Sequence, residues 1–288
     1  MPNNVNTEEK KVVSRGGAKN AGMRDYTKVI LNDNTDFSIV EAYKSTRTNL
    51  EYALAAEEGC KKIIFTSAMP SEGKTTSCIN TAITFALAGA KIVLIDADLR
   101  KPKVHMCLEL ENTTGFSNYL AGFAELDDVI QHCKNGLDVI TSGQIPPNPS
   151  ELLVSPRMEK ALLKLAEKYD YVIIDAPPVN IVSDAVSMSK FVTGVAVKED
   201  FTTHDALKKA LSNLEFANAK ILGFILNDVM ASRGYYSKYY KYRYKYNYRY
   251  KYSSYDGYDT ANQAKKDEKK DTTKTSYLTV SGGVGSSS

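Results

Sequence analysis

The richest chemistry in this chain stands in FTSAMPSEGKTTS, residues 65–77. An apolar run, KKIIFTS (61–67), precedes it, and a segment of helical length, 73–90, follows. Gly73, Lys74 and Thr75, a glycine, a lysine and a hydroxyl in that order between strand and helix, form a cradle for nucleotide phosphates. Backbone N–H groups and the positive end of the helix dipole face the phosphates there, so Ser71, Glu72, Gly73, Lys74, Thr75 and Thr76 are the expected nucleotide contacts. Lys74 would reach the β and γ oxygens, and the Thr75 hydroxyl would ligate Mg²⁺. The usual GxxxxGK[ST] pattern opens on glycine, whereas Ala68 stands here. Alanine fits only with a negative φ, so the loop should differ in detail. A glycine-containing helix start with a lone lysine is the plain alternative, and the strand-loop-helix context argues against it.

Carboxylates strengthen the nucleotide reading. VLIDADLR (93–100) puts Asp96 and Asp98 at the carboxyl end of the next apolar run. Residues i and i+2 of a strand share a face, so both can look into one site. YVIIDAPP (171–178) ends a third run with Asp175, a natural partner for metal-bound water. A single such aspartate could be a helix cap or a solvated strand end; three at three strand ends point to Mg²⁺ and nucleotide.

These residues need a sheet to position them. Continuous apolar runs recur at 61–67, 91–96, 137–142 (LDVITS), 171–176, 191–197 (FVTGVAV) and 220–227 (KILGFILN). Segments of helical length lie between them, including 73–90, 156–168 and 203–218, and a helical pattern runs from about Ile39 to Glu57. Buried strands alternating with helices predict an α/β fold with a mostly parallel central sheet, of the P-loop NTPase kind. QIPPNPSELL (144–153) reads as a Pro-rich loop entering a helix, and Pro177 and Pro178 as a stiffener after Asp175. Arg100 has two equal readings, a phosphate contact or the partner of a carboxylate; Asn227 ends the last apolar run, where resemblance to this kind of fold implies a base contact and a strand-end turn residue is the equal alternative.

Composition bounds the remainder. Hydrophobic residues at 43% allow a sizeable core, and a net charge of +3 is too small to argue for nucleic acid. Cys60, Cys78, Cys107 and Cys133 lie far apart with no CxxC pair, which fits reduced thiols. Three scattered histidines predict no zinc site. No apolar run nears the roughly 20 residues of a membrane span, and the polar start MPNNVNTEEKK is no signal peptide. The expected location is therefore cytoplasmic, with any membrane attachment made through a partner. The division expected is a disordered polar leader (1–35), a domain (36–233) and a flexible tail (234–288).

Together these segments resemble the bacterial tyrosine kinases, the BY-kinases, which transfer phosphoryl groups on a P-loop ATPase fold and share no HRD or DFG motif with eukaryotic protein kinases. SAMPSEGKTT (67–76) resembles their Walker A, VLIDADLR their Walker A′ and VIIDAPP their Walker B. EAYKSTR (41–47) resembles the ExxRxxR motif of ring assembly through Glu41, Lys44 and Arg47. Lys44 stands where arginine is usual and loses the bidentate fork, which weakens that contact. The resemblance implies ATP and Mg²⁺ as cofactors and a homo-oligomeric ring. It also implies a membrane-embedded activator of the polysaccharide co-polymerase type, a cognate phosphotyrosine phosphatase, and control of capsular or exopolysaccharide synthesis. On that reading Lys74, Asp96 and Asp98 are catalytic. Asp98 meets the phenol proton, and Thr75, Asp96 and Asp175 hold the metal.

The family's terminal tyrosine cluster matches Tyr235, Tyr236, Tyr239, Tyr240, Tyr242, Tyr244, Tyr246, Tyr248, Tyr250, Tyr252, Tyr255 and Tyr258 as phospho-acceptors. Residues 235–258 hold six Lys/Arg against one Asp, a local charge of +5 that draws the segment to an acidic, ATP-filled site. The alternation could also form a strand, or stack on single-stranded nucleic acid. The Walker set beside it favours the acceptor role, and no nucleic-acid partner is expected. Two other functions compete. One is a nucleotide-switch ATPase of the cell-division and chromosome-partitioning type, whose loop carries a second lysine (KGGxGK) that MPSEGK lacks. The other is a non-enzymatic scaffold that binds nucleotide to set its assembly.

Overall fold

The computed structural model describes residues 26–182, 184, 188, 192–198 and 201–228. A seven-stranded sheet lies at its centre, in the order β3-β4-β2-β5-β1-β6-β7. The strands are β1 (Lys61–Ser67), β2 (Ile92–Asp96), β3 (Ile130–His132), β4 (Asp138–Ile140), β5 (Tyr171–Asp175), β6 (Val192–Lys198) and β7 (Lys220–Asn227). All neighbours pair in parallel except the edge pair β3–β4. The helices are α1 (Phe37–Ala53), α2 (Lys74–Leu87), α3 (Val104–Leu108), α4 (Phe116–Ala121), α5 (Pro149–Leu153), α6 (Pro156–Ala166) and α7 (His204–Phe216).

Period-two alternation sends each central strand into two cores. Ile63 and Phe65 of β1, Ile92 and Leu94 of β2, and Ile173 of β5 face one side, where they pack with Ile79, Ala82, Ile83 and Phe85 of α2 and Leu50 of α1. Ile64, Val93, Ile95, Val172 and Ile174 face the other, against α4, α6 and α7. Each of these isoleucines and leucines contributes about 1.5–3 kcal/mol by leaving water. The register sets Asp96 beside Asp175 at the carboxyl ends of β2 and β5, and Phe65 of β1 beside Asp175 on its other side.

Six strands match the apolar runs. The edge strand β3 is an addition, since three residues carry no readable period. α1 begins two residues before the expected start, because Asp36 caps it by accepting the Ser38 N–H at 2.7 Å. It ends at Ala53 rather than Glu57.

The polar leader expected over 1–35 reaches described structure at residue 26. Tyr26–Val29 forms a 3₁₀ turn, and Ile30 is buried. The Asn80 amide of α2 donates to the Val29 carbonyl at 2.9 Å, and its oxygen accepts from Leu31 N–H at 2.9 Å. Ile30, with Tyr26 and Leu31 packed beside it, and the buried Asn80 amide dock a stretch whose composition reads as unstructured. Among the described residues no helix is long and apolar enough to cross a membrane. All four cysteines are unpaired.

Candidate active site

Four side chains from three points in the sequence meet at the carboxyl ends of β1, β2 and β5. Lys74 Nζ lies 3.2 Å from Asp98 Oδ2 and 3.2 Å from Asp175 Oδ1, and the Thr75 hydroxyl donates to Asp175 Oδ2 at 2.7 Å. Lys74 sits there because it opens α2, directly after Gly73 in the left-handed region at φ 88°. The first-turn amides of that helix have no intrahelical acceptor and point past its end.

Burial alone would lower the Lys74 pKa, but Asp175, Asp98 and Asp96 outweigh it and hold the ammonium firmly charged. Asp175 is raised, by burial above all. Burial and then the neighbouring Asp175 push Asp96 up to about 7.

Asp96, beside Asp175 in the sheet register, has its carboxylate oxygens engaged by the chain that follows it. Its Oδ1 accepts the Asp98 N–H at 3.2 Å, and its Oδ2 accepts those of Lys103 and Val104, each at 3.1 Å. That carboxylate shapes the loop that presents Asp98. The hydroxyl-carboxylate pair beside Lys74 is Thr75 with Asp175. Oxygen-only donors suit a hard cation such as Mg²⁺, which keeps waters and phosphate oxygens and takes one or two protein ligands. Among the described residues no three His, Cys, Asp or Glu side chains form a cage of their own. The donor set and the open helix start therefore fit a Mg²⁺–nucleotide.

The loop departs from the common form as Ala68 foretells. Ala68 is fully buried and is not among the residues of positive φ; Ser71 takes that conformation instead, at 68°. Ser71 is exposed and Thr76 half-buried at the helix start. Glu72 turns inward: its carboxylate accepts the Met69 N–H at 2.9 Å and the Thr202 hydroxyl at 2.5 Å. Only its backbone remains for a ligand. Asn227 lies under the loop and donates from Nδ2 to the Glu72 carbonyl at 3.2 Å.

Of the two readings of Arg100, the structure realises the ion pair, with Asp184 at 3.0 Å. The Pro177 carbonyl accepts from the Thr66 hydroxyl at 2.8 Å, which anchors the loop after Asp175. On α1, Lys44 pairs with Glu41 at 2.8 Å on the exposed face, whereas Arg47 donates inward to the Thr84 carbonyl at 2.9 Å. The twelve tail tyrosines, 235–258, lie outside the described residues. Sequence reading missed Thr202, Asp184 and Ser150, which carry no motif and act only across long separations.

The chain matches the AAA domain family over residues 60–215. It is 38% identical to the tyrosine-protein kinase YwqD of Bacillus subtilis over 76% of this chain and 94% of that one. It is 42% identical to the tyrosine-protein kinase Etk of Escherichia coli over 69% of this chain, but spans only 28% of Etk. The solved kinase domain of Etk aligns with a TM-score of 0.68 at 37% identity, over 78% of this chain and 87% of that domain. The septum site-determining protein MinD of Pyrococcus horikoshii, solved with Mg-ADP, shares the fold alone at 23% identity and a TM-score of 0.52, over 60% of this chain and 72% of that one. With YwqD matched along nearly its whole length and a kinase domain of Etk laid on the same architecture, this chain belongs to the bacterial tyrosine-protein kinase family.

Proposed function

We propose that this chain transfers the γ-phosphoryl group of ATP to tyrosine hydroxyls in the 235–258 cluster of a neighbouring copy, and that this controls capsular or exopolysaccharide synthesis. The observation that carries the reading is the meeting of Lys74, Thr75, Asp98 and Asp175 within 3.2 Å contacts at the sheet's carboxyl edge. Thr75 and Asp175 would hold Mg²⁺, which neutralises triphosphate charge, as the Mg-ADP bound by MinD on this fold suggests. Lys74 trades its two carboxylates for phosphate oxygens. Asp98 accepts the phenol proton as the phenol oxygen bonds to phosphorus, and the bond to the bridging oxygen breaks to release ADP. Asp96 holds the Asp98 loop in place through its three amide contacts.

Glu41, Lys44 and Arg47 on α1 are the proposed ring contacts. The exposed Glu41–Lys44 pair is available to a second copy, while Arg47 is already partly engaged within its own chain. A membrane-embedded activator of the polysaccharide co-polymerase type would bring the ring to the inner membrane face, and a phosphotyrosine phosphatase would reset it. The test is incubation with γ-labelled ATP, Mg²⁺ and the cytoplasmic part of such an activator, followed by phosphotyrosine detection. Label on tyrosine that Lys74→Met abolishes supports the reading; ATP hydrolysis without phosphotyrosine refutes it.

A further inference from the structure

Beside the phosphate site a buried carboxylate is committed to an exposed cation. Asp184, 1% exposed, accepts from Arg100 Nε at 3.0 Å and from the Ser150 hydroxyl at 2.6 Å. Arg100 Nη2 donates in turn to Ser150 Oγ at 2.7 Å, yet the Arg100 side chain keeps 41% exposure. The guanidinium is therefore fixed by its inner edge and presented to solvent by its outer one.

Its place is equally defined. The Lys101 N–H donates to the Asp98 carbonyl at 3.2 Å and to Asp98 Oδ1 at 3.1 Å. Residues 98–101 thus form a tight turn, and Arg100 sits two residues beyond the carboxylate proposed to meet the phenol. Lys101, exposed next to it, makes the outer side of this turn a basic rim.

That rim is the wrong sign for the bare acceptor segment, whose 235–258 stretch holds six Lys/Arg against one Asp. It is the right sign for the same segment once it carries phosphate, since each phosphotyrosine adds about −1.5 to −2 charges. The tyrosines recur at every even position from 240 to 252. In an extended peptide, residues two apart share one side and lie about 6.5 Å from each other. Arg100 likewise stands two residues from Asp98 along its own chain. A planar, pre-oriented guanidinium is suited to a phosphate dianion.

We propose that Arg100, positioned by Asp184 and Ser150, is a specificity-determining residue that reads a phosphotyrosine two residues from the acceptor, so that phosphorylation passes along the cluster from one tyrosine to the next. This rests on the kinase reading above.

The test uses the full chain and two peptides of residues 241–251. In both, Tyr246 is the sole acceptor and the other tyrosines are phenylalanine, except that one peptide carries phosphotyrosine at position 248. The expected result is a KM for the phosphorylated peptide lower by on the order of five- to tenfold, with kcat nearly equal. Arg100→Ala brings the ratio of the two kcat/KM values to about one. Arg100→Lys retains part of it, and Asp184→Asn reduces it. Equal KM values in the wild type overturn the inference, as does a preference that survives Arg100→Ala. So does an Arg100→Ala effect confined to the KM for ATP, which would make the arginine a nucleotide contact. Transfer to neither peptide is a separate failure, that of the kinase reading itself, and it removes this inference with it.

Discussion

A Cβ placed on Gly73 would fall 1.8 Å from the Asn227 amide nitrogen, in the space where that amide supports the Glu72 carbonyl. Loop and last strand are thus fitted to each other, and φ 88° at Gly73 adds a cost of its own for any side chain. Gly73→Ala should lower stability by about 2 kcal/mol or more and abolish nucleotide binding. Adding Asn227→Ala should restore only the part due to collision, leaving about 1 kcal/mol from the backbone. Urea denaturation of the two single variants and the double variant measures both terms.

Lys74→Met should be costly for two separate reasons. It removes the group proposed to meet the phosphates, so transfer should fall by at least about a hundredfold. It also leaves Asp98 and Asp175 facing each other without a cation. Loss of one partner from a buried ionic group costs about 3–5 kcal/mol, and denaturation at pH 8 without nucleotide should show a loss of that order. A variant as stable as the parent would mean that the three groups do not meet as described.

The pH dependence carries a definite sign. Asp96 has its pKa raised in the fold, to about 7, by burial and then by Asp175. A carboxyl with a higher pKa folded than unfolded takes up a proton on folding. Its stabilising contribution is complete below the unfolded value, near 4, and is lost as pH rises through about 7. In the nucleotide-free chain, the stability of the wild type minus that of Asp96→Asn should therefore decline between pH 5 and 8. Mg²⁺ with ADP should flatten the decline, because the ion favours ionised carboxylates. Denaturation midpoints across that range check it; a difference that grows with pH contradicts it.

Ring assembly separates the α1 residues. Glu41 and Lys44 pair on the surface, so alanine at either should change monomer stability by under about 0.5 kcal/mol while weakening assembly. Arg47→Ala should do both, because its guanidinium also satisfies the Thr84 carbonyl. Three to four phosphates would cancel the tail's +5, and an assembly held by tail-in-site contacts should then dissociate. Light scattering before and after ATP and Mg²⁺ follows both effects.

What could be read from the residues was what local pattern encodes. The strands β1 and β7 fall on their apolar runs, and the loop, the DAD pair and Asp175 announce themselves because each sits at a strand end. What escaped was set by distance along the chain. Glu72 meets Thr202 across 130 residues, and Arg100 meets Asp184 across 84, with no periodicity to link either pair. Asp96 read as a metal-side carboxylate because it sits deeper toward its strand than Asp98. Its amide contacts were not legible: β2 ends at Asp96, beside Asp175, and the chain then turns so that Lys103 and Val104 bring their amides to it. Docking of residues 26–31 likewise depends on Asn80, whose role no sequence pattern displays.

The most direct test of the central claim pairs two full-length chains. One carries phenylalanine at all twelve tail tyrosines but keeps the phosphate site; the other carries Lys74→Met and keeps its tyrosines. Mixed with ATP, Mg²⁺ and the activator fragment, then mapped by mass spectrometry, the Lys74→Met chain should acquire phosphate at tyrosines between 235 and 258. ATP turnover with no phosphate on those tyrosines would contradict the account.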